Sequence, residues 1–150
     1  MSNHIAFIGV GNMGNPMSKQ LVKAGQNVKV FDVSPDVIEI AKQSGLNVIS
    51  SMEELLQDAT TVISMLPEGK HVRSLYLGDN GILKKIPKDC LIIDCSTIDI
   101  ETSLELGSEA KKIGINMIDA PVTWWCNGCK NWKIKFLSRW NYSDFHVTRR

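Results

Sequence analysis

The chain has 150 residues, 43% of them hydrophobic, with 17 Lys+Arg against 16 Asp+Glu and a formal net charge of +1. That length suits one ordinary domain, able to bury about two-thirds of its unfolded surface without help from disulfides. Balanced charge supplies no global field to draw nucleic acid or an anionic membrane, and no apolar run approaches the ~20 residues of a membrane helix.

Elements follow in order. His4-Ile5-Ala6-Phe7-Ile8 is an apolar strand that runs into Gly9-Val10-Gly11-Asn12-Met13-Gly14. Met13, Met17, Leu21 and Val22 then recur near helical spacing as a core stripe, and Ala24-Gly25 closes that helix. Val28-Lys29-Val30-Phe31-Asp32 is a second strand ending in an acid. Ser34-Pro35-Asp36 opens a second helix, Ser34 as its cap and Pro35 in its first turn, with Val37, Ile38 and Ala41 as apolar residues and Gly45 as its stop. A short strand at Val48-Ile49 precedes a helix capped by Ser51, with Glu54 three residues on. Thr61 to Leu66 is a buried strand, continuous in apolarity as parallel strands covered on both faces are. Leu91 to Asp94 and Asn116 to Asp119 repeat the pattern around a helix from about Glu101 to Ile113. Alternating β and α elements predict an α/β fold, a doubly wound Rossmann-type parallel sheet with right-handed crossovers.

The first thirty residues carry the chemistry. A strand, a G-x-G-x-x-G turn, a helix and a second strand ending in an acid about 20 residues later make a dinucleotide-binding βαβ unit. Gly9 allows the tight turn, Gly11 lets the backbone approach a pyrophosphate, and Gly14 lets helix and strand pack closely. The helix N-terminus then faces the phosphates, where unpaired amides and the positive dipole end favour an anion. Asp32 is placed to bond the adenosine ribose 2′-OH and to repel a 2′-phosphate, which predicts NAD rather than NADP. Val10, Asn12 and Met13 in the turn, and Phe31 ahead of the acid, complete this half of the predicted cofactor site.

Ligands of such sheets lie beyond the carboxyl ends of the strands. Leu66-Pro67 and Ser96-Thr97 follow two of them. Two readings stand: these groups lie along a nicotinamide ribose, or Pro67 simply stops a strand and Ser96 caps the next helix. Cys90 and Cys95 flank an apolar strand and read as small buried hydrophobes, in a reducing compartment.

Taken together the motifs resemble the 3-hydroxyisobutyrate dehydrogenases, within the wider β-hydroxyacid dehydrogenases. The match runs through Phe7-Ile8-Gly9-Val10-Gly11-Asn12-Met13-Gly14-Asn15-Pro16-Met17, Asp32 with Pro35 and Asp36, Met65-Leu66-Pro67, Gly81-Ile82-Leu83, Asp94-Cys95-Ser96-Thr97-Ile98-Asp99 and Asp119-Ala120-Pro121-Val122. The resemblance implies NAD-dependent oxidation of 3-hydroxyisobutyrate to methylmalonate semialdehyde, a step of valine breakdown. It also implies that Gly9, Gly11 and Gly14 hold the pyrophosphate, Asp32 the adenosine ribose, and Leu66, Pro67 and Thr97 the nicotinamide side. His71 stands where the family often has an asparagine. The expected partners are a small 3-hydroxy acid and, in the family, further subunits; neither nucleic acid nor membrane is expected. With no signal or transit segment in view, the expected location is the cytoplasm, or the mitochondrial matrix in a eukaryote.

Beyond Val122 the pattern departs. The family continues with a Ser-Gly-Gly substrate loop, further glycines and a separate all-helical domain that carries the catalytic lysine and the subunit interface. Here Thr123 is followed by Trp124-Trp125-Cys126-Asn127-Gly128-Cys129, and all four tryptophans fall between Trp124 and Trp140. Tryptophan has the single codon TGG, and every codon beginning GG encodes glycine. Reading one base later therefore turns each tryptophan into glycine and restores the family's spacing. Residues 1–122 are thus expected to be the dinucleotide-binding domain, and 123–150 a frameshifted, poorly ordered tail lacking the second domain. Thr123 is the one substrate-binding candidate, and no catalytic residue is expected, since Lys70, Lys84 and Lys85 read as surface charges. Cys126 and Cys129 have C-x-x-C spacing without a second pair, so no metal centre is expected. Basic residues among the tail tryptophans imitate a strip for single-stranded nucleic acid, which a shifted frame produces by accident.

Overall fold

A computed structural model describes residues 3–125 and 133–136. Eight strands and five helices run in the order β1 (His4–Ile8), α1 (Gly14–Lys23), β2 (Val28–Phe31), α2 (Pro35–Gln43), β3 (Asn47–Val48), α3 (Met52–Leu56), β4 (Ala59–Ser64), α4 (Gly69–Leu77), β5 (Leu91–Asp94), α5 (Ile100–Lys112), β6 (Asn116–Asp119), β7 (Val122–Trp125) and β8 (Lys133–Phe136). Six strands form one parallel sheet in the order β3-β2-β1-β4-β5-β6. This is the doubly wound order expected, with its reversal between β1 and β4.

Side-chain alternation divides the core between the two faces of the sheet. Ala6 and Ile8 of β1, Val62 of β4 and Ile92 of β5 pack with Val72, Tyr76, Leu106 and Ala110 from α4 and α5. Phe7, Val28, Val30 and Ile63 face the other way, onto Met17 of α1 and Ala41 of α2. Cys90 and Cys95 are buried, as their apolar neighbours suggest.

Several local expectations change. Met17 is buried and Met13 and Leu21 pack against the core, but Val22 is 42% exposed and leaves the predicted stripe. Ser51 does cap α3, its hydroxyl accepting the Glu54 amide at 3.4 Å. Ser34 occupies the cap position of α2 without a side-chain cap bond; its own amide donates to Asp32 instead. Ser96 caps no helix, because α5 begins at Ile100 with Asp99 accepting the Thr102 amide at 2.8 Å. Helix α4 has no counterpart in the sequence reading. The 122/123 boundary falls inside β7, which pairs antiparallel with β8 as a separate two-stranded sheet. The other tail residues, Cys126 and Cys129 among them, lie outside the described residues.

Candidate functional site: a dinucleotide cleft at the strand reversal

The glycine turn is shaped by close approach. Gly9 has φ +89°, and a Cβ there would collide with the Met65 carbonyl oxygen. At Gly14 an added Cβ would fall on the carbonyl oxygen of Gly9 and 3.1 Å from Phe7. Gly9 therefore lets the turn lie against the exit of β4, and Gly14 lets α1 fold back on the turn and β1. Gly11 differs, since no atom lies within 4 Å of the position its Cβ would take. The space is open, and backbone forms the floor.

Asp32 closes the opposite wall. Its Oδ2 accepts the Val10 amide at 2.9 Å and its Oδ1 accepts the Ser34 amide at 3.0 Å. Two oxygens that each take one backbone donor keep further lone pairs for a ligand hydroxyl. The acid is thus fixed in position while half-buried at the cavity wall.

Between these walls lies a cavity of about 760 Å³ at the carboxyl ends of β1, β2 and β4. Of the residues predicted to hold a cofactor, Gly9, Gly11, Asn12, Met13, Gly14, Phe31, Asp32, Leu66 and Pro67 line it. Val10 is buried behind the turn and contributes through its amide. Thr97 is exposed and stands outside the lining, and Thr123 is described only as backbone of β7. The lining also takes Ile8, Val33, Ser34, Val37, Met52, Met65, His71, Ser74 and Leu75, which the sequence reading did not place there. Val37 and Ser34 follow the acid closely enough to be found, and His71 was marked only by its place in the family pattern; Ser74 and Leu75 depend on recognising α4. Lys70 is exposed and paired with Glu68 at 2.9 Å, and Lys84 and Lys85 are exposed away from the cavity.

Behind Leu66 lies a buried polar chain. The Leu66 amide donates to Ser96 Oγ at 2.9 Å, and that hydroxyl donates to Asp94 Oδ1 at 2.7 Å. Ser64 Oγ donates to the same oxygen at 2.7 Å, which leaves Tyr76 to donate to Ser64 at 2.8 Å. Burial pushes the Asp94 carboxyl above the ordinary carboxylate range, against the pull of its hydrogen bonds from Ser96 and Ser64. Tyr76, fully buried beside that acid, is raised as well. Burial lifts the Cys95 thiol to about 12 and the Cys90 thiol to about 11.

Open floor over Gly11, a fixed acid and a mostly apolar wall suit a dinucleotide. In the first turn of α1 the Asn15 and Met17 amides donate to the Gly11 and Met13 carbonyls at 3.0 and 3.3 Å and Pro16 has no N–H, so it is the Gly14 amide and the positive end of the helix dipole that favour an anion at the cavity floor. The volume lies within the ~300–1,000 Å³ of small-molecule sites.

Comparison with known proteins agrees. Residues 4–132 match the family described as the NAD binding domain of 6-phosphogluconate dehydrogenase. A 3-hydroxyisobutyrate dehydrogenase of Pseudomonas aeruginosa is 42% identical over 133 residues, 89% of this chain and 45% of its own length. A mitochondrial relative from Dictyostelium discoideum is 35% identical over 148 residues, 99% of this chain and 46% of its own. Among solved structures, a Mycobacterium tuberculosis 3-hydroxyisobutyrate dehydrogenase with L-serine superposes with a TM-score of 0.74 at 40% identity, over 82% of this chain and 41% of that one. The chain thus spans less than half the length of these relatives. With the matched residues running from β1 through the whole parallel sheet, the chain belongs to the family of the NAD-binding domain of 6-phosphogluconate dehydrogenase, and its cofactor is NAD.

Proposed function

We propose that this chain is the cofactor-binding part of a 3-hydroxyisobutyrate dehydrogenase, an enzyme that oxidises 3-hydroxyisobutyrate to methylmalonate semialdehyde with NAD. The observation that carries this reading is the Asp32 carboxylate. It is held by two backbone amides at the wall of a cavity floored by Gly11. Cofactors of doubly wound sheets straddle the strand reversal, one nucleotide over each half. The adenosine half accordingly lies over β1–β3 with its ribose on Asp32, and the nicotinamide half over β4 with Leu66 and Pro67. Thr97 is assigned to the nicotinamide side and Thr123 to the substrate. NAD supplies the hydride acceptor when bound; these residues bind and orient it and exclude water along an apolar wall. The 42% identity to a named dehydrogenase supports the substrate, a small 3-hydroxy acid.

Removing hydride from a hydroxyl-bearing carbon also needs a group to take the hydroxyl proton. Among the described residues no lysine lines the cavity. We assign that role to a helical domain outside the described residues, and read 123–150 as a frameshifted tail. With no such group in the described cavity, the proposed chain binds NAD without turning substrate over, as a non-catalytic NAD-binding module or an unstable remnant. Four tryptophans standing where one shifted base gives four glycines support this reading. The proposed location is the cytoplasm or mitochondrial matrix; no helix among the described residues is long and apolar enough to cross a membrane.

The test is an NAD-reduction assay at 340 nm with 3-hydroxyisobutyrate and the pure 150-residue chain. No turnover by a chain that still binds NADH is expected. Steady-state NAD reduction would overturn the assignment of inactivity.

A further inference from the structure

The cleft has two rims of different construction. The Asp32 rim is fixed by two amides to one carboxylate, both from the neighbouring turns. The Leu66 rim leaves the sheet after Ser64, the last residue of β4, and has one amide fastened by a side chain: the Leu66 amide on Ser96 Oγ at 2.9 Å. Ser96 is fully buried, and its hydroxyl is committed to Asp94 at 2.7 Å. Asp94 ends β5, so the acid ties the exit of β5 to the exit of β4.

Each hydrogen in this chain points toward one oxygen. Leu66 N–H donates to Ser96, Ser96 O–H to Asp94 Oδ1, and from the other side Tyr76 O–H to Ser64 and Ser64 O–H to Asp94 Oδ1. The Ser96 amide adds a third donor at 3.3 Å. Polarity of this kind leaves neither serine free to rotate, because each hydroxyl proton is spoken for. The second Asp94 oxygen, Oδ2, is buried with no hydrogen-bond partner. A buried acceptor left bare costs free energy. Leu66 also packs where a Cβ on Gly9 would stand, at 2.9 Å, so a shift of Leu66 would open the contact between rim and glycine turn.

We infer that Ser96, its hydroxyl oriented by Asp94, is a positioning residue: it fixes the Leu66–Pro67 rim against the glycine turn, setting the nicotinamide half of the cleft before the cofactor arrives. The inference rests on the cofactor placement proposed above. It assigns no contact between Asp94 and the cofactor; the acid acts through Ser96 and the Leu66 amide.

Two ligands separate positioning from general stability. NADH spans both rims, whereas AMP occupies the Asp32 side alone. In Ser96→Ala the Leu66 amide loses its partner, and NADH affinity is expected to fall about tenfold, the effect of one hydrogen bond of ~1.4 kcal/mol, while AMP affinity stays within about twofold. Asp94→Asn keeps an acceptor oxygen for Ser96, and its NADH affinity is expected within about threefold of the unsubstituted chain. Equal loss of NADH and AMP in Ser96→Ala, or no loss of either, would overturn the inference. Should Ser96→Ala not fold, hydrogen exchange at the Leu66 amide of the unsubstituted, cofactor-free chain decides. Protection like that of the strand amides supports a preset rim, and exchange at the rate of an unstructured peptide overturns it. Failure of the unsubstituted chain to bind either ligand would overturn the cofactor placement and this inference together; normal AMP and NADH binding with an unaffected Ser96→Ala overturns this inference alone.

Discussion

The Asp32 carboxylate accepts the Val10 amide at 2.9 Å, so the acid that closes β2 is fastened to the turn that closes β1. One side chain therefore shapes the glycine turn and presents a charge to the cavity. Asp32→Asn keeps the size, removes the charge and replaces one of the two acceptor oxygens with an NH2 that faces a backbone amide. Hydrogen bonds to charged groups are worth ~1.5–3 kcal/mol, so NADH binding is expected to weaken about 10- to 100-fold. A 2′-phosphate no longer meets an anion, so the preference for NADH over NADPH narrows. Parallel fluorescence titrations with the two cofactors measure both effects, and an unchanged ratio would contradict the role given to the charge.

Gly14→Ala places a methyl group on the Gly9 carbonyl oxygen, which is backbone and has little freedom to move. Overpacking of this kind costs ~1–3 kcal/mol, and at this chain length each kcal/mol lowers the melting temperature by ~2–4 °C. A melting temperature within a degree of the unsubstituted chain would mean that α1 can slide away from the turn.

Much of this was legible in the sequence because local and global signals coincide. Continuous apolar strands, alternating helices and a glycine turn each name the same sheet, and Asp32 is found by its distance from the glycines. Three kinds of feature were hidden. Helix α4 carries Val72, Leu75 and Tyr76 at helical spacing, but its ends are unmarked, with no side-chain cap at Glu68, no acid in its first turn and no base in its last, so it stayed hidden and the cavity residues Ser74 and Leu75 went with it. Ser34 and Ser96 both look like helix caps, yet each answers to a carboxylate, Asp32 or Asp94, whose nearness depends on tertiary packing. Val22 fits the helical stripe but falls past the edge of the surface that α1 covers.

Asp94 and Asp99 are expected to respond to acid with opposite sign. Burial holds the folded Asp94 carboxyl above its unfolded value, so the folded state takes up the proton first. Its contribution is fully present below the unfolded pKa and is lost as pH rises through the folded one. The stability of the unsubstituted chain relative to Asp94→Asn therefore grows as pH falls from neutrality through that window. Asp99 is held low by the Thr102 amide, so its contribution is present above the ordinary carboxylate range and lost as pH falls through its depressed folded value. Relative to Asp99→Asn the unsubstituted chain loses stability in acid. Urea unfolding of the three proteins across pH 3–7 tests the pair of signs.

Cys90 and Cys95 are buried, with thiols pushed up to about 11 and about 12. A thiolate is the reactive form, so both are expected to resist a disulfide reagent in the folded protein and to react once it is unfolded. Mass spectrometry of labelled peptides follows each cysteine separately. Rapid labelling of either one at neutral pH without denaturant would show that the core opens there.

Gly11 offers the most direct test of the cleft, because a Cβ there meets no atom within 4 Å beyond its chain neighbours and the residue lines the cavity assigned to the cofactor. NADH binding should be titrated with the unsubstituted 150-residue chain and with Gly11→Val, with melting temperatures taken for both. Saturable binding is expected of the former, and a loss of about 100-fold or more, near 2.7 kcal/mol, in a Gly11→Val protein that melts at the same temperature. Undiminished binding by Gly11→Val, or none by the unsubstituted chain, would contradict it.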